Sequence, residues 1–170
     1  LEKLAKEAEI IHDVISDIDN DSDRIDCIPV IYKVVEEYRQ SNPDVVFKTS
    51  LPESTVVRAS DALHFVIDSL VENAIEHNTS DVPHVRVRVT ADEADRWISV
   101  YVEDNGPQIP ATERRVITGD EDISPLHHGS GLGLWLAKWT SEKFGGEISF
   151  SMSDIGGNSV RIRLLQAGHE

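Results

Sequence analysis

Apolar positions recur at helical spacing in four stretches of the chain and at every second position in four others. Leu1, Leu4, Ala8, Ile11, Val14 and Ile18 make a narrow helical stripe, with Lys3, Glu7 and Asp13 outside it. Asp17 to Asp23 interrupts this stripe with turn formers and like charges, which predicts a linker. Pro29 suits the first turn of a second helix, where a missing N–H costs nothing; Val30, Ile31, Val34, Val35 and Tyr38 form its apolar face. A third helix is predicted over 61–77, with Leu63, Val66, Ile67, Leu70, Val71 and Ala74 on one arc, and a fourth over 131–144, closed by Gly145-Gly146. His84 to Val89 and Trp97 to Val102 alternate with period two, as do Ile148 to Met152 and Val160 to Leu164. Val45 to Thr49 and Val56 to Arg58 read as two shorter strands on either side of Pro52.

A sheet whose strands alternate has one polar face, so helices cover only the other. The pattern therefore predicts a two-layer α/β sandwich of α+β class spanning 24–170, preceded by a helical segment and linker at 1–23. Pro107 to His128 carries no periodicity, and an unpatterned stretch of that length in a compact domain tends to be functional.

Composition narrows the function classes. Asp and Glu number 31 against 16 Lys plus Arg, a formal charge of −15. Such a surface repels polyanions, so nucleic acid is excluded as a partner. The same acidity suits a high-salt cytoplasm, where charges are screened within a few ångströms. No apolar run approaches the roughly 20 residues that span a bilayer, which predicts no membrane contact by this segment and a cytoplasmic location, although the intact protein can be membrane-attached. Cys27 is the single cysteine and is expected to pack beside Ile25 and Ile28.

Three clusters carry candidate chemistry. On the third helix Ser69, Glu72, Asn73, Glu76 and His77 share an arc; Glu72 and Glu76 repel at four-residue spacing, which a divalent cation held by oxygen ligands offsets. Asp104-Asn105-Gly106-Pro107 ends a strand and can turn the Asp104 carboxylate into a pocket. Gly129-Ser130-Gly131-Leu132-Gly133 opens a helix, where free N–H groups attract phosphate. Taken singly, each also fits a plainer reading: a solvated helix face, a common turn, a glycine-rich connection.

In this order the three resemble the nucleotide-binding boxes of the Bergerat-fold ATPases, the superfamily of gyrase, heat-shock chaperone, histidine kinase and mismatch-repair proteins. Glu72-Asn73-Ala74-Ile75-Glu76-His77-Asn78 resembles the N box, Asp104-Asn105-Gly106-Pro107 the first glycine box, and Gly129 to Leu134 the second. The short domain, Trp135-Leu136-Ala137-Lys138 and Phe144-Gly145-Gly146-Glu147 are similar to histidine kinases, with a flavour of sensor kinases from salt-loving archaea. The resemblance implies a mixed, mostly antiparallel sheet and ATP with Mg²⁺ as cofactors. It implies Glu72 as the catalytic general base, Asn73 as the Mg²⁺ ligand, and an ATP site of Asn73, His77, Asp104, Gly106, Gly129, Ser130, Gly131, Leu132 and Gly133. Asp104 would accept from the adenine amino group. The implied partners are a phosphoacceptor-histidine helical domain of the same or the dimer-mate chain and a response-regulator receiver domain, within a homodimeric full-length protein.

The chain departs from the family pattern at Glu76 and His77, where Lys and an aromatic residue are usual, and at Gln108, which replaces the first box's second glycine. Arg114, Arg115, His127 and Lys138 are candidates for the missing cation. His12-Asp13-Val14 only partly echoes the acceptor motif, so 1–18 reads as the tail of the second dimerisation helix, with His12 on its surface, and self-phosphorylation of this piece is not expected. Two other readings share the fold: a serine kinase acting as an anti-sigma switch, and a degenerate nucleotide-binding scaffold.

Overall fold

The structure, a computed structural model, describes residues 12, 24–92, 96–109 and 131–167, with the side chains of 131 and 132 excepted. The helix expected over 1–18 (apart from exposed His12), the linker at 17–23, Gly129, Ser130, Arg114, Arg115, His127 and most of the stretch after Pro107 lie outside the described residues.

The described elements run β1 (Arg24–Asp26), α1 (Cys27–Ser41), β2 (Val46–Ser50), β3 (Val56–Arg58), α2 (Leu63–Glu76), β4 (His84–Asp92), β5 (Trp97–Asp104), α3 (Gly131–Lys143), β6 (Glu147–Met152) and β7 (Asn158–Leu165). Five strands form one sheet in the order β2-β4-β5-β7-β6; β2 and β4 are parallel and every other pair is antiparallel. The register aligns the apolar members of each alternation. Val87 faces Val102, Val102 faces Val160, and Val100 faces Ile162, all buried on the helix side. That layer meets Ile31, Val34 and Val35 of α1 and Ile67, Leu70 and Val71 of α2 in one core. Each such side chain contributes about 1.5–3 kcal/mol by leaving water.

The opposite face is open and polar. Arg86 and Arg88 donate through Nε to Glu103 Oε1 at 2.9 and 2.7 Å, with Arg86 also paired to Asp154. The Arg88 guanidinium stacks 3.8 Å above the Tyr101 ring, and Arg163 lies 4.6 Å from the centre of the Trp97 ring. Stacking covers aromatic surface that alternation alone leaves exposed.

Two local findings go beyond the sequence pattern. β1, with one apolar residue between two charged ones, pairs antiparallel with β3. Asp26 then caps α1: Oδ1 accepts from Ile28 N and Thr55 N at 3.0 Å each, and Oδ2 accepts from Ser54 Oγ at 2.7 Å. At the far end of α3, Gly145 takes φ +81° and Gly146 N donates to Ser141 O at 2.9 Å, closing the helix as the glycine pair predicts. Cys27 is fully buried in the core, and burial first, then the nearby Asp26 charge, pushes its thiol up to about 12.

Candidate functional site

The end of β5 sets the first functional group. Asp104 follows the core-facing rhythm of Val100 and Val102, so its carboxylate enters the helix layer opposite Val85 and is 4% exposed. A buried carboxylate needs donors. Oδ1 accepts from Gly106 N at 2.9 Å, Asn158 Nδ2 at 3.2 Å and Asn158 N at 3.3 Å. Burial raises the Asp104 carboxyl above the usual carboxylate range, partly offset by these hydrogen bonds and by the positive charge of His77.

Close backbone approach shapes the same spot. A Cβ on Gly157 would lie 2.5 Å from both Asp104 O and Asp104 Oδ1, and 2.7 Å from Gly106 N. A Cβ on Gly106 would lie 3.0 Å from Asn78 Cα. The lack of a side chain at Gly157 leaves room for the Asp104 carboxylate, and at Gly106 it lets the turn lie against Asn78.

Around it is a cavity of about 210 Å³. Asn73, Ala74 and His77 line it from the last turn and cap of α2, Asp104 from β5, Pro107, Gln108 and Ile109 from the turn beyond, and Asn158 from the start of β7. Pockets that enclose a whole drug-sized molecule begin at about 300 Å³, so this one has room for an aromatic base. Its fixed groups suit one: apolar walls from Ala74, Pro107 and Ile109, and an ionisable acceptor at the end.

Asn73, His77 and Asp104 thus converge, with Gly106 in contact through its N–H. Gly133, on α3, has Ser69 as its neighbour, a Cβ there lying 3.8 Å from Ser69 Cβ, one helical turn before Asn73. Gly131 and Leu132 form the first turn of α3, while Gly129 and Ser130 lie outside the described residues. Glu72 is half-buried on the same helix but does not line the cavity. It lies close enough to Tyr38 that, after burial and Asp68, its charge helps keep that phenol protonated.

Asn158 lines the cavity and Gly157 abuts Asp104 without any expectation from the sequence, while Ile109, also on the wall, belongs to the unpatterned stretch expected to be functional. Asn158 Nδ2 donates to Pro107 O at 2.7 Å and its Oδ1 accepts from Ile109 N at 2.8 Å, so one carboxamide holds the turn to the carboxylate. The available signal was Gly156-Gly157-Asn158 between two alternating stretches, which by itself reads as a hairpin turn.

Comparison with known proteins gives this geometry its class. The sequence profile of "Histidine kinase-, DNA gyrase B-, and HSP90-like ATPase" matches residues 58–168. Mycobacterium leprae sensor-type histidine kinase PrrB is 28% identical over 145 residues, 82% of this chain and 31% of the relative. The Pseudomonas aeruginosa two-component sensor PhoQ is 35% identical over 114 residues, 66% of this chain and 24% of the relative. Among solved structures, the mycobacterial sensor histidine kinase MprB superposes with a TM-score of 0.71 at 24% identity, covering 86% of this chain and 99% of that one. The ATP binding domain of PrrB from Mycobacterium tuberculosis gives 0.68 at 21%, covering 85% and 97%. The chain therefore belongs to the histidine kinase-, DNA gyrase B- and HSP90-like ATPase family, as the ATP-binding catalytic domain found in two-component sensor histidine kinases. It spans under a third of the length of these two sequence relatives. Among the described residues no helix is long and apolar enough to cross a membrane.

Proposed function

We propose that the chain acts in an intact, homodimeric sensor histidine kinase, transferring the γ-phosphoryl group of Mg-ATP to a histidine on a helical domain of the same or the dimer-mate chain, from which it passes to a response-regulator receiver domain. The observation that carries this reading is the buried Asp104 carboxylate at the end of a base-sized cavity, with the Asn73 carboxamide on its wall. In this reading Asp104 accepts a hydrogen bond from the adenine amino group, and Gly106 lets the ring lie against the backbone. His77 borders the same space.

Mg²⁺ would be held by Asn73. Among the described residues no group of three or more His, Cys, Asp and Glu side chains is placed to hold a metal. A single amide oxygen beside phosphate oxygens fits Mg²⁺, which keeps few protein ligands. When bound it neutralises phosphate charge. Glu72, beside Asn73 on α2, would polarise the attacking histidine nitrogen. Gly129, Ser130, Gly131, Leu132 and Gly133 would hold the phosphates through backbone N–H groups. Positioning and charge neutralisation supply most of the rate in such transfers.

Calorimetric titration of the chain with Mg-ATP tests this. Wild type binds, Asp104→Ala abolishes binding with or without metal, and Asn73→Ala abolishes only its metal-dependent part. Absence of binding by wild type would reject the reading. Joining the chain to a helical hairpin bearing the acceptor histidine should then yield acid-labile phosphate; an acid-stable product would indicate serine phosphorylation instead.

A further inference from the structure

Asn105, between Asp104 and Gly106, looks in the sequence like the middle of an ordinary turn. In the structure its side chain makes three hydrogen bonds, all to the segment that follows α2. Its Oδ1 accepts from His84 N and from Asn78 Nδ2, each at 2.9 Å, and its Nδ2 donates to Val82 O at 3.0 Å. Its own carbonyl accepts from Ser80 Oγ at 2.8 Å, and Asn78 Oδ1 accepts from Ser80 N at 3.1 Å. The amide has one permissible orientation. Exchanging its oxygen and nitrogen would set NH₂ against the His84 N–H and oxygen against the Val82 carbonyl, forfeiting both bonds.

These bonds tie the Asp104–Gly106 turn to the segment that leaves α2. The tie is short: Asn78 N donates to Ile75 O at 3.1 Å, so Asn78 continues directly from the helix end. The missing Cβ of Gly106 leaves Asn78 Cα only 3.0 Å from where it would stand, which interlocks the two segments sterically as well. Asn73 lies five residues before Asn78, about 7.5 Å along a helical axis. Asn105 itself does not line the cavity.

We propose that Asn105 is a positioning residue that sets the distance between the base end of the site, Asp104, and the metal end, Asn73. This inference rests on the nucleotide-binding reading above. A ligand that engages both ends feels an error in their spacing, and a displacement of about 1 Å can cost on the order of a hundredfold. A ligand that engages only the base end does not feel it, because Asp104 keeps its bonds to Gly106 and Asn158.

The two classes of ligand separate this role from a merely structural one. The 170-residue chain and its Asn105→Ala, Asn78→Ala and double variants are titrated with Mg-ATP by calorimetry and with adenosine by ligand-observed NMR, with thermal melts as a check on folding. Asn105→Ala is expected to weaken Mg-ATP at least about tenfold while adenosine changes by less than about threefold. Asn78→Ala should show the same split to a smaller degree, since the His84 and Val82 bonds remain. The double variant should lose less than the product of the two single losses, because both singles remove the shared Asn78–Asn105 bond. Parallel loss of adenosine and Mg-ATP, multiplying losses in the double variant, or unchanged Mg-ATP binding by Asn105→Ala would each overturn the proposal. If Asn105→Ala does not fold, the split measured on Asn78→Ala decides the matter. Wild type that binds neither ligand would instead overturn the nucleotide-binding reading beneath it.

Discussion

Gly157→Ala adds one methyl group where the structure leaves no space for it. Gly157 does not adopt the left-handed backbone that would bar alanine, so the effect is steric alone. The new Cβ would stand 2.5 Å from Asp104 O and Oδ1, whereas ordinary Cβ contacts begin near 3.4 Å. Relief demands a shift approaching 1 Å, and two of the three crowded atoms are backbone. Overpacking of this kind costs about 1–3 kcal/mol. For a domain of this size each kcal/mol moves Tm by about 2–4 °C, so the melting point should fall by about 2–12 °C. The displaced atoms belong to Asp104 and Gly106, the end of the site proposed to read the base. Mg-ATP affinity measured by calorimetry should therefore fall by more than about tenfold, the equivalent of 1.4 kcal/mol. Gly156→Ala is the control for general loop damage: nothing lies within 4 Å of its added Cβ, but its φ of +108° strains the backbone, so it should lower Tm and spare affinity. A Gly157→Ala protein with wild-type Tm and wild-type affinity would refute the close approach on which the pocket is built.

Other measurements bear on separate features. Because burial raises the Asp104 carboxyl, its neutral form persists to higher pH than at a surface aspartate, and Mg-ATP affinity should fall on acidification from a correspondingly higher pH. The sign for the ligand-free protein is opposite: the stability linked to this group is present below the unfolded value, is lost as pH rises through the folded one, and should vanish from the pH profile of Asp104→Asn. Glu103→Gln weakens the acceptor shared by Arg86 and Arg88; with both guanidiniums a quarter to a third exposed, the screened cost is about 1–2 kcal/mol, read as a Tm lowered by about 2–8 °C. Native Cys27 should resist alkylation at pH 8 and react only on unfolding, and rapid labelling of the folded chain would contradict its burial. With a formal charge of −15, Tm should rise from 0.1 to 1 M salt as the Debye length shrinks from about 10 to 3 Å; a flat profile would count against a high-salt habitat.

Local periodicity determined most of the architecture, because burying one face of an element leaves a record every second or every third to fourth residue. His84 to Val89 and Trp97 to Val102 declared strands with one apolar face, and Leu63 to Ala74 declared a helix. Chain order determined that an Asn-bearing helix, an Asp-Asn-Gly turn and a glycine-rich helix start occur in succession, and that succession carried the family resemblance. It left out β1, whose single apolar residue Ile25 stands between charged Arg24 and Asp26, unlike the Val56-Val57 of equally short β3, and it left out the partner of the Asp104 carboxylate. Asp104 and Asn158 are 54 residues apart and meet because β5 and β7 pair with Glu103 opposite Ser159. Register is a property of two strands together, and neither strand's pattern states which residue of the other it will face. For the same reason Gly157 read as one more turn glycine and Asn105 as one more turn asparagine. Only the packed arrangement of sheet and helix determined that one leaves room for a carboxylate and the other ties two halves of a pocket together.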